Sequence, residues 1–299
     1  MAVCRWRSRL AARARSHPSF PLTVLVNELQ DESARLEAFE GGDLTTSLTA
    51  TLSWSQRTLA PGIAEVFVLM GLTSGPDIGV RAAAALTGLP LAETRAALRE
   101  LETASLVQQH VPDRYRMHDL VDLYAAGQAE DHLPMAGKDA ALRRLFDFYL
   151  SAAYRGDQLL DPHRPPIEVG EPDAGFGGGL LTDAAEAMSW FVVEHPCILA
   201  ALRFAAARSW YRLTLRLAWA LDTFQWRRGH IRDQIACWQV GIAAAGQLAD
   251  SAAAVLAHRL LGDSYSLAGR HTELYRVKTR CGPMTCSDID KVRRLFGTR

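Results

Sequence analysis

The sequence predicts a mainly α chain, in which small helices and a short β-hairpin are followed by stacked helical pairs. Three observations carry that prediction. Apolar residues recur at spacings of three and four through most of the 299 residues, the mark of amphipathic helices. Alternation at a spacing of two is confined to Leu106–Val111 and Arg114–Met117, which face each other across Pro112-Asp113. Hydrophobic residues make up 48% and charged residues 22%, enough apolar material for the cores of two modest domains.

Charge and cysteine usage exclude several classes. Lys+Arg and Asp+Glu are both 33, so no global field recruits nucleic acid or an anionic membrane. Cys4, Cys197, Cys237, Cys281 and Cys286 are scattered and odd in number, which fits a reducing cytoplasm. Cys281 and Cys286 lack two further ligands at metal spacing, so no metal is expected. No apolar run is expected to approach the ~20 residues that span a bilayer, and the N-terminus has no apolar core of a secretory signal. The expected location is cytoplasmic, without a membrane partner.

Taken in order, Met1–Ser16 reads as a basic helix and Leu22–Phe39 as an amphipathic one stopped by Gly41-Gly42. Leu44–Leu59 is a helix ended by Pro61-Gly62, and Ile63–Leu72 a second. Ser74–Asp77 is a turn, Val80–Thr87 a short alanine-rich helix ending at Gly88, and Leu91–Ala104 the last helix of a triplet. The hairpin after it completes a winged-helix pattern over residues 44–130. Residues 131–137, with Pro134 and Gly137, read as a linker. Asp139–Leu160 is a long helix broken by Asp161–Pro166, and Ile167–Gly179 a loop. Its three consecutive glycines precede no lysine, so they cradle no phosphate. Helices follow over Ala184–Val193 and Cys197–Ala207, separated at His195-Pro196, then over Tyr211–Trp226, Ile231–Leu248 and Ser251–Ala268. The domain expectation is a helical remnant over 1–43, the winged helix over 44–130, the linker, a helical domain over 138–272 and a divergent basic tail over 273–299.

No motif for hydrolysis, phosphoryl transfer or nucleophilic catalysis occurs, and the nine histidines stand singly. Asp119 and Asp122 at the start of a helix read as capping residues. The segment that stands out is Met117-His118-Asp119. Tyr115 and Met117 suit the end of a strand, Asp119 the N-cap of a helix carrying Leu120, Leu123 and Tyr124, so His118 sits at a strand-to-helix corner beside a helix N-terminus. On spacing alone, a corner residue satisfied by a backbone carbonyl is the cheaper reading.

Val107–Ala126 resembles the end of the winged-helix part of an NB-ARC module, found in signal-transducing NTPases of the STAND class, and Met117-His118-Asp119 matches that family's "MHD" motif letter for letter. Met188–Phe191 and Glu194–Pro196 are similar to a stretch of the actinomycete regulators related to antibiotic-regulatory proteins, with Cys197 replacing the family's asparagine. Leu261-Gly-Asp-Ser-Tyr265 resembles the L-G-x-x-Y core of a tetratricopeptide repeat, with His258 where tryptophan is common. The resemblance covers roughly residues 1–272. It implies that Met117, His118 and Asp119 form a nucleotide-sensing element, His118 touching the phosphates of ADP in the resting state. It also implies that the P-loop and the metal-binding acid lie upstream of residue 1, since Met-Ala-Val-Cys-Arg-Trp-Arg replaces the helical subdomain's usual opening.

The expected function is therefore a fragment of a regulator in signal transduction and transcription, with no catalysis of its own. ADP or ATP belongs to intact relatives, and no tightly bound cofactor is expected here. The helical repeats would hold a protein partner, with self-association at a poorly capped end. The alternative is a winged-helix DNA-binding regulator in which Arg95, Arg99 and Arg114 contact phosphates. The helix carrying two of them also carries Glu93, Glu100 and Glu102, so DNA binding by this chain alone is not expected.

Overall fold

The computed structural model describes residues 51–164 and 181–281. The expected helices over Met1–Ser16 and Leu22–Phe39, almost all of the glycine-rich loop and the tail beyond Cys281 lie outside these residues. Residues 51–57 are helical. The elements that follow are α1 (Pro61–Met70), β1 (Ile78–Gly79), α2 (Val80–Thr87), α3 (Leu91–Thr103), β2 (Gln108–Val111), β3 (Arg114–Arg116), α4 (Asp119–His132), α5 (Met135–Leu160), α6 (Ala184–Ala207), α7 (Tyr211–Arg228), α8 (Ile231–Gln247), α9 (Ser251–Leu267) and α10 (His271–Cys281). The chain is mainly helical with a small antiparallel hairpin. It forms two compact units: the described residues up to Leu72 with Ala92–Lys138, and Thr73–Leu91 with the described residues from Asp139 onward.

In the first unit, Pro61 opens α1 rather than ending the helix before it. The first turn needs no N–H from that position and proline's fixed φ suits it. Val66–Met70 are all buried, so the end of α1 is apolar all round and lies inside the unit. The hairpin pairs Gln108 with Arg116 and Gln109 with Tyr115, with an irregularity between Gln109 and Val111. Asp113 turns it with φ +59°, a conformation aspartate tolerates better than most residues.

The expected linker over 131–137 is narrower than its composition suggests. Helix α4 runs to His132 and α5 begins at Met135, leaving only Leu133 and Pro134 between them. Lys138, itself 2% exposed, reaches back to the Glu130 carboxylate and donates to the Glu130 carbonyl at 3.1 Å.

In the second unit α2 ends in left-handed Gly88, and Arg144 of α5 donates to the Ala85 and Leu86 carbonyls at 3.2 and 2.8 Å. Cys197 of α6 donates to the Asp77 carbonyl at 3.2 Å. These bonds explain why Thr73–Leu91, grouped by sequence with the hairpin, packs with the helices beyond residue 139. Asp183 caps α6 by accepting from the Ala185 and Glu186 amides at 2.8 and 2.9 Å.

Helix α6 does not break at His195-Pro196; it runs unbroken from Ala184 to Ala207. An interior proline costs roughly 3 kcal/mol. Here Phe191, Glu194 and His195 on one side and Cys197, Ile198 and Leu202 on the other are all buried, and that packing holds the two halves in line. Among the described residues α6 is also the helix long and apolar enough to cross a membrane, at a mean hydropathy of 1.3. The expectation that no stretch reaches that threshold is corrected accordingly. Half of its most apolar window is buried inside the protein.

From α6 to α10 consecutive helices pack as antiparallel neighbours. Each of the four turns between them carries one left-handed residue: Ser209, Gly229, Ala249 and Gly269, with φ between +52° and +71°. Each follows the last by 20 residues (229 − 209, 249 − 229, 269 − 249), so a helical pair recurs every 40 residues. That is longer than the roughly 34 residues of a tetratricopeptide repeat. Helix α10 continues the series through residues expected to belong to a divergent tail.

The core of this unit contains a buried polar knot. Arg164 lies in the segment that ends α5. Its guanidinium donates to Asp157 Oδ1 at 2.6 Å, the Trp219 carbonyl at 2.7 Å, Thr223 Oγ1 at 3.1 Å and Asp222 Oδ2 at 3.3 Å. It also lies 3.8 Å from the Trp219 ring centroid. Asp222 Oδ1 in turn accepts from Gln234 at 2.8 Å and from Trp238 Nε1 at 2.7 Å. Burial pushes the Asp157 carboxyl above the usual carboxylate range, and the Arg164 charge pulls it back. Removing one partner from such a knot leaves a buried charge unpaired, a change worth roughly 3–5 kcal/mol. Arg164→Ala is therefore expected to lower unfolding stability by about that amount in a denaturant titration, and Arg164→Lys to recover only part of it, because an ammonium neither forks nor stacks as a guanidinium does.

Candidate functional site

The corner predicted around His118 is present in the first unit. Strand β3 ends at Arg116 and α4 starts at Asp119, with Met117 half-buried and His118 and Asp119 exposed between them. The N-cap is His118 rather than Asp119. His118 keeps extended backbone (φ −71°, ψ 145°), its carbonyl accepts from the Asp122 amide at 2.9 Å, and its Nδ1 accepts from the Leu120 amide at 3.5 Å. The imidazole therefore does what a serine or aspartate does at this position. A neutral ring that accepts through Nδ1 carries its hydrogen on Nε2, and an exposed ring presents that N–H to solvent. Asp119 and Asp122 both lie in the first turn of α4, where their charges already serve the helix dipole. The corner thus offers an anion one imidazole donor, not a bare helix end.

Helix α4 holds the corner in place. Val121, Tyr124, Ala125 and Ala129 form its buried face. Tyr124 meets Phe67 of α1 at 6.2 Å between ring centroids and donates its hydroxyl to Gln56 Oε1 at 2.8 Å. Just after α1, Gly71 lets the two backbones touch: a Cβ there would stand 2.3 Å from the Ala125 carbonyl carbon.

The three arginines of the DNA-binding alternative do not form one exposed row. Arg95 is paired with Asp113 of the hairpin turn at 2.9 Å. Arg99 is exposed on α3, and Arg114 is buried at 7% exposure. Glu102, on the same helix, accepts from the Gln109 amide at 3.0 Å and so secures the hairpin.

The histidines do not all stand singly. In the second unit His195 and His230 meet with ring centroids 4.8 Å apart, and Asp233 lies beside them. Burial, and then the nearness of His230, lowers the His195 pKa to about 4, so its ring is neutral at neutral pH. Sequence gave no warning of this meeting: His195 is flanked by Glu194 and Pro196, and His230 by Gly229 and Ile231.

No family model matches the chain. No solved structure matches it either. The chain is similar to two curated regulatory proteins. It is 34% identical over 274 aligned residues to regulatory protein AfsR of Streptomyces coelicolor, which covers 88% of this chain and 26% of that protein. It is 40% identical over 209 residues to regulatory protein AfsR of Streptomyces griseus, covering 67% of this chain and 20% of that protein. The chain thus spans about a quarter or less of the length of these relatives.

Because Gly71 sits against the Ala125 backbone, Gly71→Ala must push α1 and α4 apart. Overpacking of this kind typically costs roughly 1–3 kcal/mol. A lowered thermal midpoint is expected for Gly71→Ala but not for Gly62→Ala, where nothing lies within 4 Å of a Cβ.

Proposed function

We propose that this chain is a regulatory segment of a longer STAND-type protein and is not itself an enzyme. In this reading a winged-helix unit ends in a nucleotide-sensing corner formed by Met117, His118 and Asp119. A tetratricopeptide-like helical unit follows and binds a protein partner in the cytoplasm, so that nucleotide state is converted into a change in transcription. Two features support it. Both similar proteins are regulatory proteins of actinomycetes. The observation that carries the mechanism is the exposed His118, whose Nδ1 caps α4, so that a neutral ring keeps its hydrogen on Nε2 as a donor.

A phosphate oxygen is the natural acceptor for such a donor, and ADP would supply it. Residues for the rest of a nucleotide site do not accompany His118: the sequence contains no G-x-x-x-x-G-K-[ST] segment. His118 would accordingly report on a nucleotide whose phosphates are cradled by another part of the longer protein. Loss of that bond would release the winged helix from the resting arrangement. The helical unit would then present its faces to a partner or to a second copy.

The decisive measurement is nucleotide binding by the purified chain. Denaturation should release no ADP or ATP, and calorimetric titration should give no ADP dissociation constant tighter than about 10 μM, or roughly −7 kcal/mol. Tight ADP binding that disappears in His118→Ala would overturn the separation of sensor from cradle. The same preparation is expected not to retard duplex DNA. Retardation that weakens steeply with salt and is lost in Arg95→Ala/Arg99→Ala would move the function to DNA binding.

A further inference from the structure

A second cluster, unused by the proposed function, lies in the helical unit. His195 comes from α6, His230 from the turn between α7 and α8, and Asp233 from the first turn of α8. One ring nitrogen of each histidine and one carboxylate oxygen lie within 4.8 Å of one another. We propose that these three side chains form a binding site for a divalent transition metal of the zinc class, tying α6 to the α7–α8 turn.

Geometry favours a single ion. Three donors about 2.1 Å from a tetrahedral centre stand roughly 3.4 Å apart. The widest pair in the cluster must therefore close by about 1.4 Å, from 4.8 Å to roughly 3.4 Å. His230 and Asp233 have the freedom to do this, with side chains 41% and 38% exposed, while His195 is fixed at 5% exposure. Two imidazoles and a carboxylate are the donor set that suits zinc and its neighbours rather than calcium or magnesium.

The fold builds the site from both sides. Left-handed Gly229 ends α7 and the His230 amide closes the turn on the Gln225 carbonyl at 2.8 Å, which places the His230 ring beside that of His195. His230 and Asp233 are three residues apart at the start of α8 and so share a face. Their closest atoms, Nδ1 and Oδ2, are 3.9 Å apart, too far for a hydrogen bond and close enough to share an ion.

Behind His195 stands Gln225. It is fully buried, its carboxamide nitrogen lies 3.1 Å from His195 Nε2, and its Oε1 has no partner among the described residues. With the amide nitrogen against Nε2 the ring carries its hydrogen on Nδ1; ion binding through Nδ1 requires the carboxamide to turn over, so that the orphaned Oε1 accepts from Nε2–H as outer groups do behind metal-bound histidines. Phe224 holds the other side of the ring at 5.2 Å.

The opposing charges are also present. Arg203 faces His195, and Arg232 and Arg270 line the cleft of about 860 Å³ onto which His230 and Asp233 open. Arg270 is spent on Glu273 at 2.7 Å. Asp233 supplies the one negative charge among the three ligands. The cleft leaves room for a fourth ligand from solvent.

The test uses the full chain, stripped with a chelator and titrated with Zn²⁺ alone, then with Co²⁺ as a spectroscopic probe. One ion per chain, visible Co²⁺ bands of a low-coordinate N/O site and a thermal midpoint raised by Zn²⁺ are expected. His230→Ala and Asp233→Asn change exposed side chains, so their metal-free midpoints should stay near that of the parent, while their Zn²⁺ affinity should fall at least about tenfold. Cys281→Ser/Cys286→Ser should leave affinity unchanged. Failure of the parent to take up Zn²⁺, or uptake equal in His230→Ala and Asp233→Asn, would overturn the site.

Discussion

The Arg164 guanidinium is the constraint on which the helical unit depends. Asp157 is fully buried and Asp222 nearly so, and neither carboxylate tolerates that burial without a cation beside it. Arg164 reaches both from a segment that belongs to no helix, and its face rests on Trp219. One side chain thus links the end of α5 to α7, and through the bonds of Asp222 to Gln234 and Trp238 it links α7 to α8. A buried ion cluster of this kind adds little net stability over an apolar core, but it penalises any other register of the three helices. Sliding α7 by one turn would leave two carboxylates and a guanidinium buried without partners. The relative placement of α7 and α8, and hence of His230, follows from that penalty.

The helical punctuation works on the same principle of local decision and global consequence. A left-handed residue every 20 positions ends each helix and starts the next, so α7, α8 and α9 have nearly the same length, 18, 17 and 17 residues. Glycine takes this conformation freely, whereas Ser209 and Ala249 pay a steric cost of the order of 1 kcal/mol each. Both are held there by backbone bonds that close the turn: Trp210 N–H to the Ala205 carbonyl at 2.9 Å and Asp250 N–H to the Ala245 carbonyl at 3.2 Å. Asp250 then caps α9 by accepting from the Ala253 amide at 3.0 Å.

These details separate what the sequence made legible from what it did not. Helix existence, the hairpin at Pro112-Asp113 and the corner at His118 followed from periodicity and turn chemistry, which are local. Pro196 misled because its cost is local while the burial that outweighs it comes from neighbouring helices. Pro61 misled in the opposite sense, since a proline near a boundary ends one helix or begins the next according to which N–H is dispensable. The 40-residue period was hidden because only two of its four turn residues are glycine. Arg164 sat in a segment whose prolines read as a breaker and nothing more. The approach of His195 to His230, 35 positions apart (230 − 195), depends on how α6 lies against α7, which no spacing rule reports.

The His118 corner, by contrast, is small enough for its energetic reach to be bounded. A hydrogen bond from an imidazole to a charged phosphate oxygen is worth roughly 1.5–3 kcal/mol, or about ten- to 150-fold in an equilibrium constant. Asp119 and Asp122 lie within one turn of the same helix end and weigh against any anion held there by the dipole alone. A single donor of that size cannot create a nucleotide site, but it can bias a two-state protein whose states differ by a few kcal/mol. That is the quantity a sensor requires: large enough to shift the population when phosphate is present, and small enough to be lost when the contact is withdrawn. Under the proposed role, the seating of α4 on α1 through Gly71 and Tyr124 would serve this end, since a donor that moved by an ångström would forfeit most of so small a bias.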